Sequence, residues 1–199
     1  MSFALRFYPF FYWLLWLTLR FWHWPTFRGR ENLPEGPCVL CCNHSGFADP
    51  LWVFLTLGVH NLPWTMAKKS VMQTPVLGKF LAAYRAFAVD RDNPDMTSIK
   101  KSLRVLRDGD RLLIFPEGTR VKHGKQVQAK SGAVMLAHRA GVPVVPIYLT
   151  PNRRPFMPIR CEIGKAYTPE FADKRATAAE LEQATTELMA KIYAMGEKR

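Results

Sequence analysis

Two short stretches of this 199-residue sequence carry side chains whose types and spacing could do chemistry. In "NHSGFADP", residues 43–50, His44 stands five residues before Asp49. A carboxylate on one ring nitrogen of a histidine fixes its tautomer and raises the basicity of the other nitrogen. Such a pair makes a general base, a role that contributes about 10²–10⁴ in rate. On one continuous helix the two residues would lie about 140° apart and could not meet. Asp49-Pro50 reads instead as a helix start, with Asp49 as N-cap and Pro50 at the first helical position. Residues 43–48 are then a loop that Ser45-Gly46 lets fold back, bringing imidazole against carboxylate. A plainer reading stays open: Asp49 only caps a helix, and His44 is an ordinary loop histidine.

The second stretch is "FPEGTR", residues 115–120. Glu117, Gly118, Thr119 and Arg120 crowd a turn that follows the apolar run 111–115. Such a turn offers backbone N–H groups, a hydroxyl and a guanidinium to a phosphate. Arg91, in "AVDRDN", follows another short apolar run and supplies a second guanidinium. Lys130 is a further candidate for phosphate contact. For each of these the alternative is a solvated surface charge.

These residues need elements to hold them. Residues 38–42, 64–68, 87–89, 111–115 and 142–149 read as strands, the last with prolines that point to strand ends or irregular pairing. Residues 50–57, 97–107 and 130–139 read as helices, and Thr177-Ala178-Ala179-Glu180 is a capping box opening a last one. On 97–107, Ile99, Leu103 and Leu106 share a face. Alternating strands and helices predict an α/β domain with its site at the loops after the strands.

Composition narrows the partners. At 48% apolar residues the chain is neither disordered nor composed like a multi-span membrane protein. A net charge of +12 attracts polyanions: nucleic acid, anionic lipid headgroups or phosphorylated small molecules. Twelve of the 25 Phe, Trp and Tyr residues lie before position 28 rather than among the domain's Lys and Arg, so stacking on bases finds no support. No nucleic-acid partner is expected. The uncharged run 7–19 would span only about 20 Å as a helix, against about 30 Å of hydrocarbon. Residues 1–27 therefore predict an anchor lying in the membrane interface, with Arg6, Arg20, Arg28 and Arg30 for anionic headgroups, and residues 28–199 a catalytic domain. The plainer reading is a terminal helix docked on the domain's own core, and a tilted membrane span is the remaining alternative. Cys38-Val39-Leu40-Cys41 matches C-x-x-C, but cysteines three apart on a strand face opposite ways and no second pair exists. All four cysteines read as structural, and no metal site is expected.

Together these motifs resemble the glycerolipid acyltransferases of the PlsC type, the 1-acyl-sn-glycerol-3-phosphate acyltransferases. NHSGFAD matches their N-H-x₄-D motif, FPEGTR matches their third motif, and VPVVPIYL is similar to their fourth, in order from about residue 38 to 150. The second motif, often G-x-x-F-I-x-R, survives only in Val89 and Arg91; Arg85 and Ala88 stand for its Gly and Phe. The resemblance implies a mixed, largely parallel sheet flanked by helices, with an N-terminal aromatic membrane-associating helix. It implies that His44, oriented by Asp49, takes the proton of an acceptor hydroxyl as that oxygen attacks an acyl thioester. Arg91, Glu117, Gly118, Thr119 and Arg120, with Lys130 beside them, would hold the acceptor's phosphate side. Glu117, itself an anion, would orient Arg120 or a backbone turn. The donor would be acyl-CoA or acyl carrier protein and the acceptor lysophosphatidic acid, with no acyl-enzyme and no cofactor. An apolar groove should lead from lipid to His44, and the place implied is the cytoplasmic face of a bacterial inner membrane. Arg85 and Ala88 leave room for another lysolipid acceptor, such as lyso-ornithine lipid. Outside this class stand a thioesterase or lipase, for which no G-x-S-x-G elbow appears, and a basic membrane-binding protein without catalysis.

One expectation separates the enzyme from the binding protein. His44→Ala should abolish acyl transfer while leaving folding and liposome binding unchanged; residual turnover above about a hundredth would remove His44 as the base.

Overall fold

A strand that is apolar at every position needs cover on both faces. Val39–Cys42 is such a strand, and all four of its residues are fully buried. The computed structural model describes residues 3–90, 96–121, 127–151, 153–173 and 175–197. Among these, seven strands form one sheet: β1 (Trp24–Arg28), β2 (Val39–Cys42), β3 (Trp64–Lys68), β4 (Ala86–Val89), β5 (Leu112–Ile114), β6 (Val144–Leu149) and β7 (Pro158–Ile163). Their order is β1-β7-β6-β2-β5-β3-β4. Every pairing is parallel except β6 with β7. The sheet is mixed and largely parallel, as expected.

Helices cover both faces. On one side α3 (Asp49–Leu57) buries Trp52, Val53, Leu55 and Leu57 against Leu40, Leu113, Ile147 and Ile159 of the sheet. On the other lie α6 (Met96–Arg107), α7 (Gly132–Ala140) and α8 (Ala178–Glu197), packed on Val39, Leu112, Ile114 and Val144. Cys38 and Cys42 face the first layer and Cys41 the second, so C-x-x-C is split across the sheet. All four cysteines are free and buried, and burial pushes the Cys38 thiol up to about 11. They are inert core residues.

Three differences from the expected elements have physical causes. The buried face of α6 is centred on Ser98, Ser102 and Val105 beside Leu106, while Ile99 and Leu103 are only partly buried. Small serines let this helix approach closely, and the Ser102 hydroxyl donates to the Ser98 carbonyl at 2.6 Å. Pro146 sits inside β6, where β7 pairing begins only at Ile147–Ile163. Its missing N–H falls next to the turn at Gly164, whose N–H donates to the Pro146 carbonyl at 2.8 Å. Strands β1 and β7 were not expected at all. They pair from Trp24–Pro158 to Arg28–Glu162 and extend the sheet at one edge. The division anticipated after Phe27 therefore falls within a sheet strand.

Before β1 come α1 (Phe3–Arg6) and α2 (Tyr8–Trp22). Helix α2 is apolar all round and divides its faces between two environments. Tyr12 is buried and donates its hydroxyl to the Leu55 carbonyl of α3 at 3.0 Å, while Tyr8, Leu15, Trp16 and Leu19 pack beside it. The opposite face leaves Phe10, Trp13, Leu14, Leu17 and Phe21 exposed, Phe21 by 77%. Phe156 and Met157, also exposed, continue this patch: the Phe156 ring lies 5.3 Å from that of Trp22, and its N–H donates to the Trp22 carbonyl at 2.8 Å. Among the described residues no helix is long and apolar enough to cross a membrane.

Candidate active site

Strands β6, β2, β5 and β3 are adjacent and parallel, so the loops leaving their C-terminal ends meet along one edge. Those loops carry the chemistry. After β2 the Asn43 side chain behaves like one more strand residue: its amide donates to the Leu149 carbonyl and its oxygen accepts from the Leu149 N–H, both at 2.8 Å. Anchored there, the chain folds back as predicted. His44 Nδ1 lies 2.8 Å from Asp49 Oδ2. A carboxylate can only accept, so Nδ1 carries the proton and Nε2 is the ring's acceptor. The imidazole stacks on Phe115, with ring centroids 4.3 Å apart.

Asp49 is not the N-cap that was expected. Helix α3 begins at Asp49 itself, with Pro50 second and Ala48 at the N-cap position, which makes no side-chain cap hydrogen bond. Asp49 Oδ2 also accepts from the N–H groups of Ser45 at 2.6 Å and Gly46 at 2.8 Å. Its Oδ1 pairs with Arg153, which follows β6 and whose guanidinium also donates to the Thr150 carbonyl. Asp49 is fully buried and His44 is 7% exposed.

Glu117 joins the two motifs. Its Oε2 accepts the His44 backbone N–H at 2.6 Å, and its Oε1 accepts the hydroxyl of Tyr193 from α8, also at 2.6 Å. Of the two partners expected for it, the carboxylate reaches backbone, at His44. Burial raises the Glu117 pKa, opposed by the Tyr193 and His44 hydrogen bonds. Burial and the adjoining Glu117 raise that of Tyr193. Val121 N–H donates to the His44 carbonyl at 2.8 Å, so residue 44 is held on both its backbone groups. Gly118 has φ of +66°, and the Lys130 stem lies along the space its missing side chain leaves. Lys130 N–H donates to the Pro116 carbonyl at 2.8 Å, placing it beside the turn and just ahead of α7. Thr119 and Arg120 are exposed at the turn's outer end. Arg91 lies outside the described residues.

His44 faces a cavity of about 370 Å³, within the range of roughly 300–1,000 Å³ typical of ligand sites. Its walls are apolar: Phe47, Leu51 and Phe54 around α3, Tyr8, Phe11 and Leu15 of α2, and Leu77 and Phe80 of α5 (Leu77–Ala83). Two cations stand in them, Arg120 and Lys68. Lys68, the last residue of β3, was read only as part of a strand. Its position at the C-terminal end of a strand neighbouring β5 was the available signal. Arg153 gave no local signal, since its partner is 104 residues away. Arg85, the departure in the second motif, has φ of +63°, the left-handed region that a glycine occupies freely. Its side chain pairs with Asp110 at 2.8 Å and lies over Trp64. Neither Arg85 nor Ala88 is among the cavity's lining residues.

A family model described as acyltransferase matches residues 25–150, the segment that carries His44, Asp49, Glu117 and Arg120. The chain belongs to the acyltransferase family. It is 42% identical over 121 residues to the 1-acyl-sn-glycerol-3-phosphate acyltransferase of Bacillus subtilis, covering 59% of this chain and 58% of that protein. It is 35% identical over 132 residues to the enzyme of that name from Pseudomonas aeruginosa, covering 60% and 47%. The chain thus spans about half the length of the curated relatives it matches. The crystal structure of PlsC, the 1-acyl-sn-glycerophosphate acyltransferase of Thermotoga maritima, superposes with a TM-score of 0.71 at 21% identity, over 98% of this chain and 79% of that one. At that identity the likeness establishes an acyltransferase fold.

The tether from Glu117 separates positioning from binding in this acyltransferase-family site. Glu117→Met keeps a similar length but gives up both acceptors. It should lower kcat about tenfold or more, with the acceptor KM within about twofold, because the His44 backbone loses its anchor and the cavity is untouched. A raised KM at unchanged kcat would place Glu117 in substrate binding instead.

Proposed function

We propose that this chain transfers an acyl group from an acyl thioester, acyl-CoA or acyl carrier protein, to the sn-2 hydroxyl of 1-acylglycerol-3-phosphate, giving phosphatidic acid. One observation carries the reading: an Asp-oriented histidine faces an apolar cavity that also holds Arg120 and Lys68. His44 Nε2 takes the acceptor's hydroxyl proton as the oxygen attacks the thioester carbonyl. The tetrahedral intermediate collapses, the carbon–sulfur bond breaks, and the thiolate leaves with the proton that His44 returns. No acyl-enzyme forms and no cofactor takes part. Apolar walls hold the acyl chains and exclude water, which would otherwise hydrolyse the thioester. Arg120 and Lys68 offer two cations to the acceptor's phosphate, Arg120 as a bidentate fork. Gly118, Thr119 and Lys130 shape the same turn, Arg91 is assigned to the phosphate side from its motif, and Glu117 and Asp49 position His44. Arg85 makes its departure on the backbone and away from the cavity, so the second motif gives no separate argument for a lyso-ornithine acceptor.

The acceptor is a membrane lipid, and the outer face of α2 supplies a place to meet it. Exposed Phe10, Trp13, Leu17 and Phe21 would enter the interface of an anionic bilayer, with Arg6, Arg20 and Arg28 at headgroup level. The membrane-facing part is thus α1 and α2 and the catalytic part the sheet domain from β1 onward, turned toward the cytoplasm, where thioester donors are made.

The deciding assay offers palmitoyl-CoA with lysophosphatidic acid and lyso-ornithine lipid in parallel to purified protein in detergent. Turnover of lysophosphatidic acid is expected, with Arg120→Ala raising its KM about tenfold or more at similar kcat; turnover of lyso-ornithine lipid alone would sink the phosphate site. Replacing Phe10, Trp13, Leu17 and Phe21 together by Ser should release the protein from phosphatidylglycerol-containing liposomes at unchanged Tm. Binding that persists would contradict the membrane face.

A further inference from the structure

The Asp49 carboxylate is fully buried, so its negative charge needs a counter-charge close by. Two groups could supply it. Were His44 to do so, it would be an imidazolium, and an imidazolium has no lone pair with which to accept a proton. The other is Arg153, whose guanidinium lies against Asp49 Oδ1 with its side chain only 9% exposed. It is held from behind by the Thr150 carbonyl. Burial lowers the Arg153 pKa from its ordinary value, yet a guanidinium keeps its charge at any pH at which the enzyme would work.

The loop is built around this contact. A Cβ on Gly46 would meet Arg153 Nη2 at 2.9 Å and Asp49 Oδ1 at 3.2 Å. The glycine between His44 and Asp49 therefore leaves the guanidinium its way to the carboxylate, besides letting the chain fold back.

We propose that Arg153 is a positioning residue: the fixed counter-ion of Asp49 that keeps His44 neutral and ready to take a proton. The inference rests on the acyl-transfer reading for its kinetic consequence only. Other charges face the pair from each surrounding element. Glu117, after β5, holds the His44 backbone and favours the imidazolium. Arg120 and Lys68, across the cavity, disfavour it, as exposed or partly exposed groups screened by solvent. Tyr8 and Tyr84 line the cavity as neutral phenols, because burial raises the pKa of both. Cys42, at the end of β2, is neutral as well, because burial raises its thiol pKa. Arg153 is the cation in direct, water-excluded contact with the carboxylate, and there a charge acts most strongly.

The sign follows directly. Asp49 raises the proton affinity of His44, and Arg153 offsets it. Without Arg153 the imidazolium–carboxylate pair is favoured, and His44 titrates at higher pH. The test is the His44 ring titration by NMR in the full chain in detergent, assigned by its loss in His44→Ala, for Arg153→Met and Arg153→Lys. The Met variant should raise the midpoint by about one pH unit or more, and the Lys variant by less. In the same preparations the acid limb of kcat/KM for palmitoyl-CoA and lysophosphatidic acid should move the same way. Below that limb each unit of displacement costs about tenfold, with acceptor KM within about twofold. If Arg153→Met does not fold, a rise of more than about 0.2 units in Arg153→Lys supports the proposal. A His44 midpoint within about 0.2 units of wild type in the folded variants overturns it, whatever their activity. If wild type acylates neither lysolipid, the acyl-transfer reading fails separately, and the titration still decides Arg153.

Discussion

A carboxylate taken wholly out of water is among the most demanding groups a fold can contain, and the site of this protein is organised around one. Desolvating an ion costs several kcal/mol even after relaxation, roughly, and hydrogen bonds to a charged group return about 1.5–3 kcal/mol each. Asp49 accepts from a histidine ring, two backbone N–H groups and an arginine. Meeting those demands fixes the path of residues 43–48, the direction of the imidazole and the approach of the segment after β6. Orientation of the His44 ring is here a by-product of satisfying a buried charge.

That arrangement needs loops from strands far apart in sequence, and strand order provides them. Because β6, β2, β5 and β3 lie side by side in parallel, residues 42, 68, 114 and 149 end on the same edge. Both faces of the sheet are occupied, so the strands are rigid and their ends do not wander. Tyr193 carries the same logic to the C-terminal helix: α8 packs under the sheet through Leu188 and Ile192 and from there reaches Glu117.

What was legible in the sequence follows the same physics. His44, Asp49 and the turn at 115–120 were readable because a short loop and a tight turn encode their geometry locally. The parallel core was readable because doubly covered strands are continuously apolar. Strand β1, at the sheet's edge, and β7 beside it were not: both carry Pro and Arg, and β1 was absorbed into the aromatic block before it. Arg153, Lys68 and Tyr193 were missed because their partners come from other elements, and nothing in "NRRP", "MAKK" or "KIYA" announces a distant carboxylate or cavity. Glu117 lay between these cases. Its motif marked it as important, but whether it faced a ligand or a backbone depended on a contact 73 residues away.

Helix α2 forms a wall in the sense a builder would use, with an inside and an outside. Tyr8, Phe11 and Leu15 line the cavity, while Phe10, Trp13 and Leu14 look outward from the intervening positions. The helix thus stands between the cavity and the surroundings on this side. Trimming it away would therefore also take out a wall of the cavity. The exposed apolar face and the cavity are coupled here, and neither can be discarded without rebuilding the other.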